Sequence, residues 1–257
     1  MKYDELHYER IDLDETKNNI SGLVKKFNEA KNADEQIDVI MKIDSFSRDY
    51  STYQSMASLN FSRNINDEDA KSEKEYYDSI TPDMTESYNL FDKALNASSF
   101  KKEISEKFGD TFLNQIELNL KTFDSKIKEM LKEEINLKNE YTKLTAGAKI
   151  EFDGQGYNLA GLGPFHSDSD RVVRKKSYEA RFDWFKNNEY ELDNIYDKLV
   201  KLRHKIAVEL GYDNFIELGY YRMGRSDYGP KEVANFRKQI VENVVPIVNV
   251  LSEKKKE

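Results

Sequence analysis

Between Leu192 and Leu210, apolar side chains fall at Leu192, Ile195, Tyr196, Leu199, Leu202, Ile206 and Leu210. A step of three to four residues places them on one side of a helix and predicts a buried stripe along it. Gly211 follows at once and can close the helix, because glycine takes the left-handed conformation that a helix end needs. Asp213 or Asn214 can cap the next helix, Phe215 to Met223. The same spacing recurs over most of the chain. Only four prolines and eleven glycines in 257 residues interrupt it, which suits long helices joined by short loops.

The first half reads as a succession of such helices after an extended lead-in over residues 1–11. One spans Leu13 to Ala30, with Asp14 as its cap. A second, from Ala33 to about Asn60, carries Ile37, Ile40, Ile43, Tyr50 and Met56 through about seven turns. A third starts near Asp69 and meets Pro82, which ends it at Thr81 or kinks it. A short helix, Phe100 to Phe108, is closed by Gly109. Thr111 to about Thr145 is one helix or two broken near Asp124. These elements predict antiparallel helical hairpins packed side by side.

The pattern changes at residue 148. Ile150 and Phe152, then Tyr157 and Leu159, flank Asp153-Gly154, which is the signature of a β-hairpin. A helix from about Asp170 to Lys186 follows, capped by Ser167 or Ser169. Pro230 suits the first turn of a last helix, and Pro246 should kink that helix. The expected fold is therefore mainly α, a multi-helix array with one small β-hairpin. Its expected divisions are 1–147, the helical hairpins, and 148–257, the β-hairpin with the later helices.

Charge and composition narrow the function. The formal net charge of −8 speaks against nucleic-acid binding that rests on bulk electrostatics. No apolar run approaches the length of a membrane span, and MKYDELHYER lacks the apolar core of a signal peptide. The absence of cysteine removes disulfide and thiolate chemistry and fits a cytoplasmic setting. No HExxH, P-loop or GxSxG is present. His166 and His204 lack the paired spacing of metal ligands, so no metal-binding residue is assigned. Acidic runs such as Lys132-Glu133-Glu134 read as solvated helix faces. One cluster stands out: Tyr220, Tyr221, Arg222, Arg225 and Tyr228. It is either a packed helix end or a cleft wall offering donors to a peptide or carboxylate, and these five are the candidate substrate-binding residues.

From Asp170 onward, DRVVRKKSYEARFDWFKNNEYELDNIYDKLVKLRHKIAVELGYDNFIELGYYRMGRSDY followed by VANFRKQIVENVVP resembles the oligoendopeptidase F and thimet oligopeptidase family of zinc metallopeptidases. The preceding IEFDGQGYNLAGL fits the same order. The resemblance implies a largely helical enzyme that cleaves short peptides in a deep channel, with zinc held by an HExxH helix downstream of this chain. It thus implies an N-terminal portion, channel wall and lid, that binds no zinc itself and is inactive alone. Its partners would be oligopeptide substrate and the missing C-terminal half, whose absence should leave apolar helix faces bare and promote association. A helical scaffold or adaptor that binds partner proteins is the alternative.

Overall fold

The computed structural model describes residues 6–255. Eleven α-helices and one two-stranded sheet follow in order among them. The helices are α1 (Leu13–Glu29), α2 (Ala33–Arg63), α3 (Glu68–Asn96), α4 (Lys101–Phe108), α5 (Asp110–Thr122) and α6 (Lys128–Ala146). Strands β1 (Ile150–Phe152) and β2 (Gln155–Tyr157) come next. The chain continues through α7 (Arg171–Asn187), α8 (Glu189–Glu209), α9 (Phe215–Arg222), α10 (Pro230–Gln239) and α11 (Val245–Lys254). The fold is mainly α with one small antiparallel hairpin. No helix among the described residues is long and apolar enough to cross a membrane.

Helix starts follow side-chain capping, at positions that differ in part from expectation. Asp12, not Asp14, caps α1, accepting from the Glu15 N–H at 2.8 Å. Asp170, not Ser167 or Ser169, caps α7 by accepting from the Val172 N–H. In both cases an aspartate reaches an orphan donor of the first turn. Asn214 caps α9 by accepting from the Ile216 N–H. The stretch from Thr111 resolves into two helices, because Phe123 turns extended and Asp124 starts a short 3₁₀ turn at Ser125–Ile127.

The two internal prolines are absorbed differently. Helix α3 continues through Pro82, and the threonine hydroxyls around it back-bond, Thr81 to the Tyr77 carbonyl and Thr85 to the Thr81 carbonyl. Before Pro246 the helix widens into a π turn, Ile240–Val244. The wider turn sits where a proline ring would otherwise meet the carbonyl four residues back. In the hairpin, Asp153 and Gly154 both take positive φ, 51° and 76°. That is the two-residue turn whose twist matches the flanking strands, and it pairs Phe152 with Gln155 and Ile150 with Tyr157.

Three apolar clusters hold the array together. The first joins α1 to α5 through Phe27, Ile40, Phe91, Leu95, Ile104 and Ile116. The second, around Ile20, Tyr50, Tyr77, Ile80 and Met84, fills the space between α1, α2 and α3. It also ties in the lead-in segment, where Tyr76 donates to the Ile11 carbonyl at 2.6 Å. The third packs Ile127 and Leu137 against Leu202, Ile206, Ala207 and Leu218, so α6 is joined to α8 and α9 on either side of residue 148. Ion pairs from Lys128 at the start of α6 to Asp83 and Glu86 of α3, 2.6 and 2.9 Å, seat α6 on the first half. Tyr196 departs from its predicted stripe and is 71% exposed on α8. From α10 onward Phe236, Val241, Ile247, Val248, Val250 and Leu251 are also exposed.

Asp92 on α3 is the least comfortable charge in this core. It is 5% exposed, and among the described residues its carboxylate accepts a hydrogen bond from Asn119 Nδ2 of α5 at 3.1 Å. Burial raises its pKa to about 6, with the Asn119 bond opposing only in part. A folded-state pKa above the unfolded one means that the ionised form is disfavoured in the fold. The cost is therefore full above about pH 6 and disappears as pH falls through the unfolded value near 4. Asp92→Asn is expected to stabilise the protein by about 1–3 kcal/mol at pH 7, with the gain vanishing near pH 4. Thermal melts of both proteins across that range check it.

Candidate functional site

Helix α9 presents two faces, and the predicted cluster divides between them. Tyr220 and Tyr221, with Ile216 and Glu217, line one cleft. Phe215, Gly219, Arg222 and Met223 line another. The division follows from helical geometry, since positions 215, 219, 222 and 223 share one face of a 3.6-residue helix.

The first cleft is made by the way α9 ends. Gly224 has φ of 70°, its N–H bonds to the Tyr221 carbonyl, and the Arg225 N–H bonds back to the Tyr220 carbonyl at 3.2 Å. This double closure needs a left-handed residue at Gly224. It returns the chain so that Arg225 lies over the Tyr220 ring at 4.5 Å and over the Tyr228 ring at 5.5 Å. A guanidinium between two tyrosine rings is held by its attraction to their π faces. Tyr221 donates to Glu217 at 2.7 Å and carries Lys121 over its ring. Pro230 starts α10 on the far side, and the Gly229 N–H donates to Glu232 at 2.9 Å. The cleft so bounded has a volume of about 670 Å³. Val233 and Phe236 extend it along α10 beside Tyr228.

Arg222 faces the other way. Its Nη1 donates to Glu134 Oε2 at 2.9 Å, while Arg203 Nε donates to Glu134 Oε1 at 2.8 Å. Both guanidinium groups also lie 5.7 Å from the Phe215 ring. Glu134 is 6% exposed, so it is not part of a solvated face. Burial pushes its carboxyl up, but the Arg222 charge and the hydrogen bonds from both arginines outweigh this and hold it below the usual range. Reading the acidic run as solvated missed this residue. Its position carried a signal, because Glu134 lies three residues after Leu131 and three before Leu137, on the apolar side of α6.

The histidines do not come together. His204 is exposed on α8, and His166 stacks on Tyr178 at 4.2 Å with Nε2 buried and unpartnered. Among the described residues no group of three His, Asp or Glu side chains could hold a metal ion.

Residues 3–123 match the model of the peptidase M3 N-terminal domain, and residues 165–257 match that of peptidase family M3 itself. The chain belongs to peptidase family M3. Among solved structures, PZ peptidase A bound to an inhibitor is 39% identical, with a TM-score of 0.94 over 98% of the family M3 chain described here. A Bacillus anthracis protein solved under the name oligoendopeptidase F is 35% identical, with a TM-score of 0.93 over 99%. An Enterococcus faecium oligoendopeptidase F shares the fold at 16% identity and a TM-score of 0.58. The chain spans 45% of PZ peptidase A and 47% of the Bacillus anthracis protein. No curated protein matches it.

Removing the buried carboxylate tests how much the two arginines depend on it. Glu134→Gln is expected to cost about 1–3 kcal/mol at pH 7, because two partly buried cations lose their counter-charge. Since the folded carboxyl titrates below its ordinary value, the pair stabilises above about pH 4.5 and is lost as pH falls further. The melting-temperature gap between variant and parent should therefore narrow on acidification below that point.

Proposed function

We propose that this chain forms part of the wall of the peptide channel of a zinc-dependent oligoendopeptidase, with Tyr220, Tyr221, Arg225 and Tyr228 touching substrate. The observation that carries this reading is the Arg225 guanidinium set between two tyrosine rings at the edge of a cleft of about 670 Å³. Such a cleft offers flat apolar contact and charge-assisted donors together, which suits an extended peptide with its carbonyls and terminal carboxylate. Val233 and Phe236 continue the apolar lining. Arg222 faces away from this cleft and pairs with Glu134. Membership of a peptidase family and likeness to PZ peptidase A with its inhibitor support a peptide ligand.

The zinc site of this reading lies outside the described residues. They do not bring metal-ligating side chains together, and the sequence has no HExxH. The proposal therefore assigns no catalytic residue here and no zinc to this chain.

Two outcomes follow. Purified chain 1–257 with added zinc is expected to leave a quenched fluorescent oligopeptide uncut, and zinc-dependent turnover would refute the assignment of a wall alone. A fluorescein-labelled octapeptide is expected to bind, with Arg225→Met and Tyr228→Ala each weakening it by about tenfold, as for a central aromatic or arginine contact. Unchanged binding by both variants would remove the cleft from the channel.

A further inference from the structure

The cavity on the other face of α9 has a composition of its own. Its volume is about 590 Å³, and it lies where α3, α5, α6, α8 and α9 meet. Pro82, Phe123, Leu131, Ile135 and Met223 give it apolar walls, and Lys138 joins Arg203 and Arg222 at its polar side. An apolar cavity of this size with a few convergent polar groups is the usual form of a small-molecule site.

Its charge does not cancel. Glu134 offsets one of the three cations, which leaves an excess of two positive charges. Each guanidinium spends one nitrogen on Glu134. Their other nitrogens have no hydrogen-bond partner among the described residues, and none is a buried orphan. Arg222 and Arg203 therefore keep donors for a second anion. Glu134 fixes their planes in advance, so an incoming anion need not order them. A planar oxyanion suits this better than a point charge, because a guanidinium fork matches a carboxylate edge to edge.

We propose that this cavity binds a carboxylate carried on an apolar body, in chemical terms the free α-carboxylate of an apolar amino-acid residue. The carboxylate meets Arg222, Arg203 and Lys138, and the side chain lies against Pro82, Phe123 and Met223. The site is separate from the tyrosine cleft and stands whether or not that cleft binds peptide.

Calorimetric titration of chain 1–257 with N-acetyl-L-leucine tests it, with N-acetyl-L-leucinamide and acetate as comparisons. The acid should bind at least about tenfold more tightly than the amide, the scale of one lost charge-assisted hydrogen bond. It should also bind more tightly than acetate, which lacks the apolar body. Arg222→Met should weaken the acid by about tenfold or more. Because that variant also uncovers Glu134, Lys138→Met provides a second test. Lys138 is exposed and forms no ion pair among the described residues, the partners of Glu134 being Arg203 and Arg222, and its loss should weaken binding about two- to fivefold without lowering the melting temperature. Tyr228→Ala should leave the acid unaffected. The tripeptide Gly-Gly-Leu separates sources: binding equal to the acetyl derivative assigns the site to peptide ends, and its rejection assigns the site to small acids. Equal binding of acid and amide, acetate as tight as the leucine derivative, or indifference to both Arg222→Met and Lys138→Met would overturn the proposal.

Discussion

A carboxylate buried between helices is tolerable only when its charge is met, and Glu134 is met twice. Arg203 comes from α8 and Arg222 from α9, so one residue of α6 joins three helices at a single point. Each arginine gains the same anion, and the anion gains charge and hydrogen bonds that outweigh its loss of water. The pairing sits beside the apolar contacts of Ile127 and Leu137 with Leu202 and Ile206, so α6 meets α8 through charge and burial together. The orientation of α9 depends on it, and with it both cavities that α9 borders.

The two faces of α9 show how one short helix serves unlike surroundings. Eight residues alternate between a tyrosine-rich cleft and an arginine-lined cavity because 3.6 residues complete a turn. Gly224 then reverses the chain, which is why Arg225 lies beside Tyr220 rather than beside Arg222. A cluster that is compact in sequence is thus split in space.

Much of the fold is legible in the sequence. The apolar repeats located the helices to within a few residues, and Asp153-Gly154 located the hairpin turn, although the second strand ends at Tyr157, short of Leu159. What escaped were features that depend on partners distant in sequence. Asp14 is the cap expected from sequence, yet it lies inside the first turn, and Asp12 is the residue that accepts from the Glu15 N–H. Pro82 permits a break or a continuation, and tertiary packing of α3 on its neighbours selects continuation. Tyr196 fits the α8 stripe by spacing, yet among the described residues nothing covers it. Glu134 looks like any surface glutamate until α8 and α9 deliver their arginines. At the candidate site, Tyr220, Tyr221, Arg225 and Tyr228 do line one cleft, whereas the turning away of Arg222 required the helix phase and the distant acid together.

The π turn at Ile240–Val244 has a geometric effect beyond accommodating Pro246. A turn that closes on the fifth residue instead of the fourth inserts one residue into the helical count, which rotates everything beyond it by about 100°. Phe236 before the turn and Ile247, Val248 and Leu251 after it therefore point along different azimuths than an uninterrupted helix would give them. With that offset the four residues fall within about 100° of one another, so the exposed apolar groups on both sides of the turn share one side of the rod. Deleting a single residue within the turn would restore an uninterrupted α-helix and leave Phe236, Ile247, Val248 and Leu251 on the azimuths they hold now.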